Sequence, residues 1–349
     1  MNRQQDNMLD FINVKDDLAG IINQKANVLF ALLKNFDPSN INTEEEFKNY
    51  FINHHLGHRL FFSIQNSAHI LYQSVKKTGK PVNEINIVDY GAGLGTLFML
   101  AGMMNFKRII YNDYLPNWKN TAQSICTSLK IPITAYITGD IEDVLKYAAD
   151  EKFTYTIIAS RNVIEHIYNL SYFYRLLYNH NINAVIFSTT TANYHNPAMH
   201  LKHYLLHKKV EKKIYKDQRK KAIQKEWPSV LPAQLNELAN KTRGKAKDDF
   251  ISAIDCYRKS EPIEPVPFLR TNTCDCYTGS WHEHLLTSNE YRSIVTGAGY
   301  KIEYAAGYWD THYKFVLMNI AARIFNGIIK LLGKKGYLLS PFVNVVAYN

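Results

Sequence analysis

Cysteine is scarce, with Cys126, Cys256, Cys274 and Cys276 irregularly spaced along 349 residues. That excludes a disulfide framework. Cys274-Asp275-Cys276 is not Cys-x-x-Cys, and no second pair exists to complete a zinc site. Reduced thiols and a cytoplasmic setting are the default expectation. No uninterrupted apolar run of about 18 residues occurs, so no transmembrane segment is expected. The nearest approach, 315–332, is broken by Asn319, Arg323, Asn326 and Lys330. It is expected as a buried amphipathic helix, with a membrane-surface helix as the alternative. Residues 1–6 show no basic region leading into an apolar run, so no signal peptide is expected. Internal repeats and low-complexity tracts are absent. Acids are also in deficit. Against 41 Lys and Arg stand 31 Asp and Glu, and the formal charge of +10 favours anionic partners without selecting one.

What is present is a folded globular composition, 46% hydrophobic and 21% charged, with enough apolar residues for a large core. Tyr is common, at 24 residues, and suits both pocket walls and strands. Residues 1–80 read as helical. Ile21, Ile22, Val28, Leu29, Leu32 and Leu33 recur at helical spacing, and Asp37-Pro38-Ser39-Asn40 is a stop. A second helix starts near Thr43, and a third covers about 56–77. Strands and helices then alternate, with strands expected at 85–89, 108–113, 133–137, 155–160 and 184–188. After 267 the pattern resumes, with strands at 301–309 and 342–348 and helices at 288–298 and 314–332. Strands separated by helices mean βαβ units and a mostly parallel sheet with helices on both faces. Between them, residues 198–267 form a polar helical insertion. From Lys202 to Lys225, ten Lys and Arg face two acids, Glu211 and Asp217.

The chemistry concentrates after the first strand, in Asp89-Tyr90-Gly91-Ala92-Gly93-Leu94-Gly95. Glycine accepts positive φ and lets backbone approach a ligand, and the helix that follows offers free N–H groups. That much says only a nucleotide-like ligand. A dinucleotide fingerprint, Gly-x-Gly-x-x-Gly, fits at Gly91 and Gly93 but meets Thr96 at its third glycine. An acid closes the second strand at Asp113, followed by Tyr114. Gly139-Asp140-Ile141 follows the third strand, and Asn162-Val163-Ile164-Glu165-His166 follows the fourth.

Asp-x-Gly-x-Gly-x-Gly after a strand resembles the first motif of class I S-adenosylmethionine (SAM)-dependent methyltransferases. The later elements arrive in that family's order. The resemblance implies a Rossmann-like α/β fold with a seven-stranded, mostly parallel sheet and S-adenosyl-L-methionine as cofactor. It implies that Asp89, Gly91, Ala92, Gly93 and Gly95 surround the methionine part and that Asp113 meets the ribose hydroxyls. Tyr114 and Asn162 join the same site. Asp140 meets the adenine amine, and Ile141 packs on the ring. An acid accepts hydrogen bonds from a diol or an exocyclic amine, which agrees with these roles. Asn162 to His166 is similar to the Val-x-Glu-His segment of ubiquinone-pathway O-methyltransferases. The resemblance covers about 82–190 and more loosely 282–349. The expected organisation is an N-terminal helical region (1–80), a SAM-binding core (81–197), a basic insertion or cap (198–267) and a C-terminal part of the core (268–349).

The substrate side is less determined. Methyl transfer from a sulfonium is an in-line displacement, and a hydroxyl acceptor benefits from a base. His166, His195 and His284 are the candidates, each with a packing role as the alternative. Glu165-His166 and a distant His also resemble the metal site of small-RNA 2′-O-methyltransferases. There the segment is Glu-x-x-Glu-His, whereas Asn162 stands first here, which removes a carboxylate, and no metal is assigned. Neither an Asp-Pro-Pro-Tyr signature nor a Pro-Cys nucleophile is present. The expected reaction is methylation, at oxygen, of a small-molecule or carrier-linked acceptor, anionic chemistry included. An RNA acceptor gripped by the basic insertion and a non-catalytic binding module stand as alternatives.

Overall fold

The central strands are apolar without interruption, as strands covered on both faces require. In the computed structural model, which describes residues 9–41 and 43–349, their successive side chains enter two separate cores. Ile87, Ile109, Ile157 and Val185 enter one; Val88, Ile110, Ile158 and Ile186 enter the other. Residues 1–6 lie outside the described residues.

The N-terminal helices are α1 (Asp17–Lys34), α2 (Glu45–His55) and α3 (Leu60–Thr78). The alternating part comprises β1 (Asn86–Asp89), α4 (Leu97–Gly102), β2 (Arg108–Asp113), α5 (Pro116–Leu129), β3 (Ala135–Thr138), α6 (Ile141–Asp150), β4 (Ile157–Arg161), α7 (Leu170–His180) and β5 (Val185–Thr190). Beyond β5, α8 (Pro197–Val210) continues through a π turn (Glu211–Tyr215) into α9 (Lys216–Glu226). Then come α10 (Pro232–Lys241) and α11 (Lys247–Arg258). The chain ends with α12 (Ser288–Gly297), β6 (Lys301–Ala306), α13 (Val316–Leu332) and β7 (Val343–Tyr348).

Among the described residues the sheet has seven strands in the order β3-β2-β1-β4-β5-β7-β6. All run parallel except β7, which is antiparallel to both neighbours. This is the Rossmann-like α/β fold expected from the sequence. Strand order reverses at β1, which pairs with β2 on one side and β4 on the other. In open α/β sheets, the carboxyl ends of strands at such a reversal are where ligands bind. The third strand starts later than expected, because pairing with β2 begins only at Ala135, beyond Pro132. The sixth stops at Ala306, where Gly307 faces the Phe342 ring.

The main correction concerns α13, expected as a buried helix. Only Ala322 and Ile329 of it are buried, while Leu317 is 81% and Leu331 88% exposed. The contact with the domain is made instead by its polar stripe. Asn319 bonds the backbone N–H and C=O of Tyr313, and Asn326 those of Trp309. With the asparagines turned inward, the broad apolar face is left outward. By length and composition alone, Val316–Leu338 is apolar enough to cross a bilayer.

Candidate functional site

Asp89 closes β1 and is buried; its Oδ2 accepts the Phe98 N–H at 2.9 Å, fixing the start of α4. Burial pushes its carboxyl up to about 7, against the opposite pull of the Phe98 amide and the Arg161 guanidinium. The turn that follows is clasped by the end of β2. Gly91 N–H donates to Asn112 Oδ1 at 3.4 Å, Ala92 N–H to the Asn112 carbonyl at 2.8 Å, and Gly93 N–H to Asp113 Oδ2 at 2.9 Å. Gly95 N–H closes the turn onto the Ala92 carbonyl at 3.0 Å. Gly91 sits at φ +65°, and a Cβ there would come within 2.6 Å of Val163. Gly93 also has positive φ, +51°, but a Cβ there would meet nothing within 4 Å. The space over the turn is open.

Asp113 uses its other oxygen to accept the Leu115 N–H at 3.0 Å, and burial raises its pKa. Tyr114 beside it is 60% exposed. Asp140 caps α6, its N–H bonded to Asp143 Oδ2 at 3.2 Å, and Ile141 is buried in the core. Asn162, exposed just past β4, takes φ +54° and accepts the Thr191 N–H at 3.2 Å. Asp89, Asp113, Asp140 and Asn162 thus mark the carboxyl ends of four adjacent strands, with the glycine turn among them.

The N-terminal helices complete this edge. His55 Nδ1 lies 3.2 Å from Ser63 Oγ, which lies 3.1 Å from Thr96 Oγ1 at the end of the glycine turn. Thr96 meets Ser67 Oγ at 2.8 Å, and Arg161 donates to the Ser63 carbonyl at 3.3 Å. Burial pushes the His55 pKa down to about 3, so its ring is neutral. Tyr50, packed edge-on to Trp118 at 4.7 Å, feels both Arg161 and Asp113. One signal was available: Arg161 is a charge at the end of the apolar strand Ile157–Arg161.

The three candidate histidines are tied down by the chain between Trp281 and Ser288. His166 Nδ1 lies 2.8 Å from the Trp281 carbonyl. His284 is buried, stacks 4.3 Å from the Trp281 ring, and donates its backbone N–H to the Glu165 carbonyl. Burial pushes its pKa down to about 4. His195 Nε2 accepts the Ser288 N–H at 2.9 Å, at the start of α12. Its ring also lines a cavity of about 560 Å³ with Tyr194, Pro197, His200, Leu201 and Tyr204. Thr287 is the cap of α12, and His195 adds one hydrogen bond to its first turn, so His195→Ala should cost about 1 kcal/mol in denaturant unfolding, the usual value of a lost hydrogen bond. An unchanged midpoint would mean that water replaces the ring.

Glu165 is 1% exposed, and neither carboxyl oxygen is in good hydrogen-bonding geometry with a described residue, the Thr190 hydroxyl being near enough only to oppose the rise in its pKa. Burial pushes it up to about 7, with Glu283 adding to the rise and His166 opposing it. His203 Nδ1 lies 3.3 Å from Glu283, but no group of three or more His, Cys, Asp or Glu among the described residues is arranged to hold a metal. In the basic insertion, Arg219 is fully buried against Glu211 at 2.5 Å and the Ala239 carbonyl at 2.9 Å. Lys202, Lys208, Lys209, Lys212, Lys213, Lys221 and Lys225 are exposed.

No family model matches the chain, and no curated protein matches it in sequence. Solved structures similar to it include a S-adenosylmethionine-dependent methyltransferase from Clostridium acetobutylicum, 12% identical, TM-score 0.32, over 43% of this chain and 56% of that one. Phosphoethanolamine N-methyltransferase 2 of Haemonchus contortus, in complex with S-adenosyl-L-methionine, is 12% identical, TM-score 0.37, over 87% of this chain and 60% of that one. Magnesium protoporphyrin IX methyltransferase of Synechocystis, with bound SAH, is 9% identical, TM-score 0.40, over 92% of this chain and 98% of that one. The chain therefore spans little more than half the length of the first two. Each is a distant likeness; the Rossmann-like fold is established by this chain's own strand order.

Proposed function

We propose that this chain is a SAM-dependent methyltransferase acting at oxygen on a small or carrier-linked acceptor. The observation that carries the reading is the open glycine turn, its Gly93 N–H held by Asp113 at 2.9 Å, beside acids at the ends of β1, β2 and β3. A Cβ on Gly93 would meet nothing within 4 Å, which fits an extended ligand lying over the turn. Asp113 and Tyr114 suit a ribose and a flat ring, and Asp140 an exocyclic amine. The bound cofactor supplies an electrophilic methyl group on sulfur. The chain's own work is to position the acceptor in line and to exclude water. Arg161, with Tyr50 beside it, lies at the same edge and suits an anionic group on the acceptor. The exposed lysines of α8 and α9 favour anionic acceptors too, RNA among them.

Thermal unfolding with SAM, S-adenosylhomocysteine and NADH added separately tests this. A ligand at about 100 times its Kd adds about 2.7 kcal/mol. The adenosyl-sulfur ligands should raise the transition and NADH should not, and Asp113→Ala should remove the shift. A rise with NADH alone would overturn the cofactor assignment. If the expected shift is seen, acceptors are screened as hydroxylated metabolites first and RNA second.

A further inference from the structure

The outward face of α13 has no partner among the described residues, and its apolar surface is large for an exposed helix. Val316, Ile320, Ile324 and Leu331 recur at helical spacing, with Leu317 and Ile328 beside them, and all six are exposed. The buried pair, Ala322 and Ile329, lies on the opposite side. Exposed contiguous apolar surface of this kind marks an interaction site.

Charge decides what the site takes. Residues 311–349 contain no Asp or Glu. Lys314 precedes the helix, Arg323 and Lys330 flank its apolar face, and Lys334 and Lys335 follow it, all exposed. A second copy of the chain would bring the same cations against these. An anionic lipid surface complements them, and an apolar face bordered by Lys and Arg is the pattern of an interfacial helix.

The tether excludes a spanning arrangement. β6 and β7 pair from Lys301–Tyr348 to Ala306–Val343, so both ends of the connection return to one point on the sheet edge. Asn319 and Asn326 hold the helix along the loop before it. α13 therefore lies flat.

We infer that α13 docks the protein on anionic phospholipid membranes, with the helix parallel to the surface. β6 runs in the same direction as β5, since β7 is antiparallel to both. The helix accordingly leaves the sheet at the carboxyl edge that carries the glycine turn. Docking turns that edge toward the bilayer, where an acceptor with a lipid tail would reach it. This last consequence rests on the methyltransferase reading; the docking does not.

The test is co-sedimentation of the full chain with vesicles of phosphatidylcholine alone or containing about 30% phosphatidylglycerol. The chain should pellet with the anionic vesicles and bind the neutral ones at least about tenfold more weakly. Leu317→Glu/Ile324→Glu/Leu331→Glu should abolish pelleting while keeping the wild-type thermal transition, because all three side chains are exposed. Lys330→Glu/Lys334→Glu/Lys335→Glu should reduce it by about tenfold or more, leaving the apolar face intact. Absence of pelleting, or equal pelleting of either variant, overturns the proposal. So does a wild-type dimer in light scattering that the first variant converts to monomer, which would assign the face to a second copy.

Discussion

Gly91→Ala should lower the unfolding free energy by about 2–5 kcal/mol and remove the thermal shift with S-adenosylhomocysteine. Two costs combine. A left-handed backbone at a residue with a Cβ costs about 1–2 kcal/mol. Crowding a packed interior costs about 1–3 kcal/mol more, and here the new Cβ would come within 2.6 Å of Val163. The two can be separated. Gly79, at φ +64° with nothing within 4 Å of its Cβ position, should lose only the backbone part when changed to Ala. Val163→Ala in the Gly91→Ala background should recover the crowding part and leave the backbone part. Denaturant midpoints measure all of these. If Gly91→Ala proves no worse than Gly79→Ala, the turn is not pinned by the segment after β4, and the site is looser than described.

The difference between these glycines also explains what the sequence could reveal. The turn Asp89 to Gly95 is local: the acid, the glycines and the helix start lie within a few residues, so spacing alone exposes them. The acids Asp113 and Asp140 were legible for the same reason, one closing an apolar strand and the other capping the helix just after one. The partners of the candidate histidines were not. His166 meets a carbonyl 115 positions away and His195 an amide 93 positions away. No periodicity encodes such pairs. The network joining His55, Ser63, Thr96 and Arg161 likewise draws on α2, α3, the turn and β4, which only the folded sheet brings together. Helix α13 fails for a different reason. Periodicity identifies an apolar face but not what covers it, and the chain's inward contact there is made by Asn319 and Asn326.

The N-terminal helices therefore pack against the strand ends that carry the glycine turn. Tyr50 and His55 on α2 feel Arg161, and Arg161 in turn offsets the buried charge of Asp89. Burial still holds the Asp89 carboxyl at about 7, so Arg161 offsets only part of the cost of burying that charge.

Glu165 is, like Asp89, a buried carboxyl pushed up to about 7, and its titration should be visible. Glu165→Gln should remove its own share of the stability that the wild type loses between about pH 4.5 and 7. The carboxyl is 1% exposed and held at about 7 by burial. The folded chain thus keeps a proton that the unfolded chain releases near 4.5, the ordinary value. Stability from this group is full below about pH 4.5, falls as the pH rises toward 7, and is flat above. A rise from 4.5 to about 7 corresponds to on the order of 3 kcal/mol. Other buried groups titrate nearby: Asp89, also pushed up to about 7, with the same sign, and two histidines with the opposite one. His207 and His284, both pushed down to about 4, gain stability as the pH rises and they lose their protons. These act in wild type and variant alike, so the difference between the two isolates Glu165. From pH 5 to pH 8 the wild type should lose roughly 2–3 kcal/mol relative to Glu165→Gln in denaturant unfolding. A flat difference would mean that the carboxyl is ionised and paired in the folded chain.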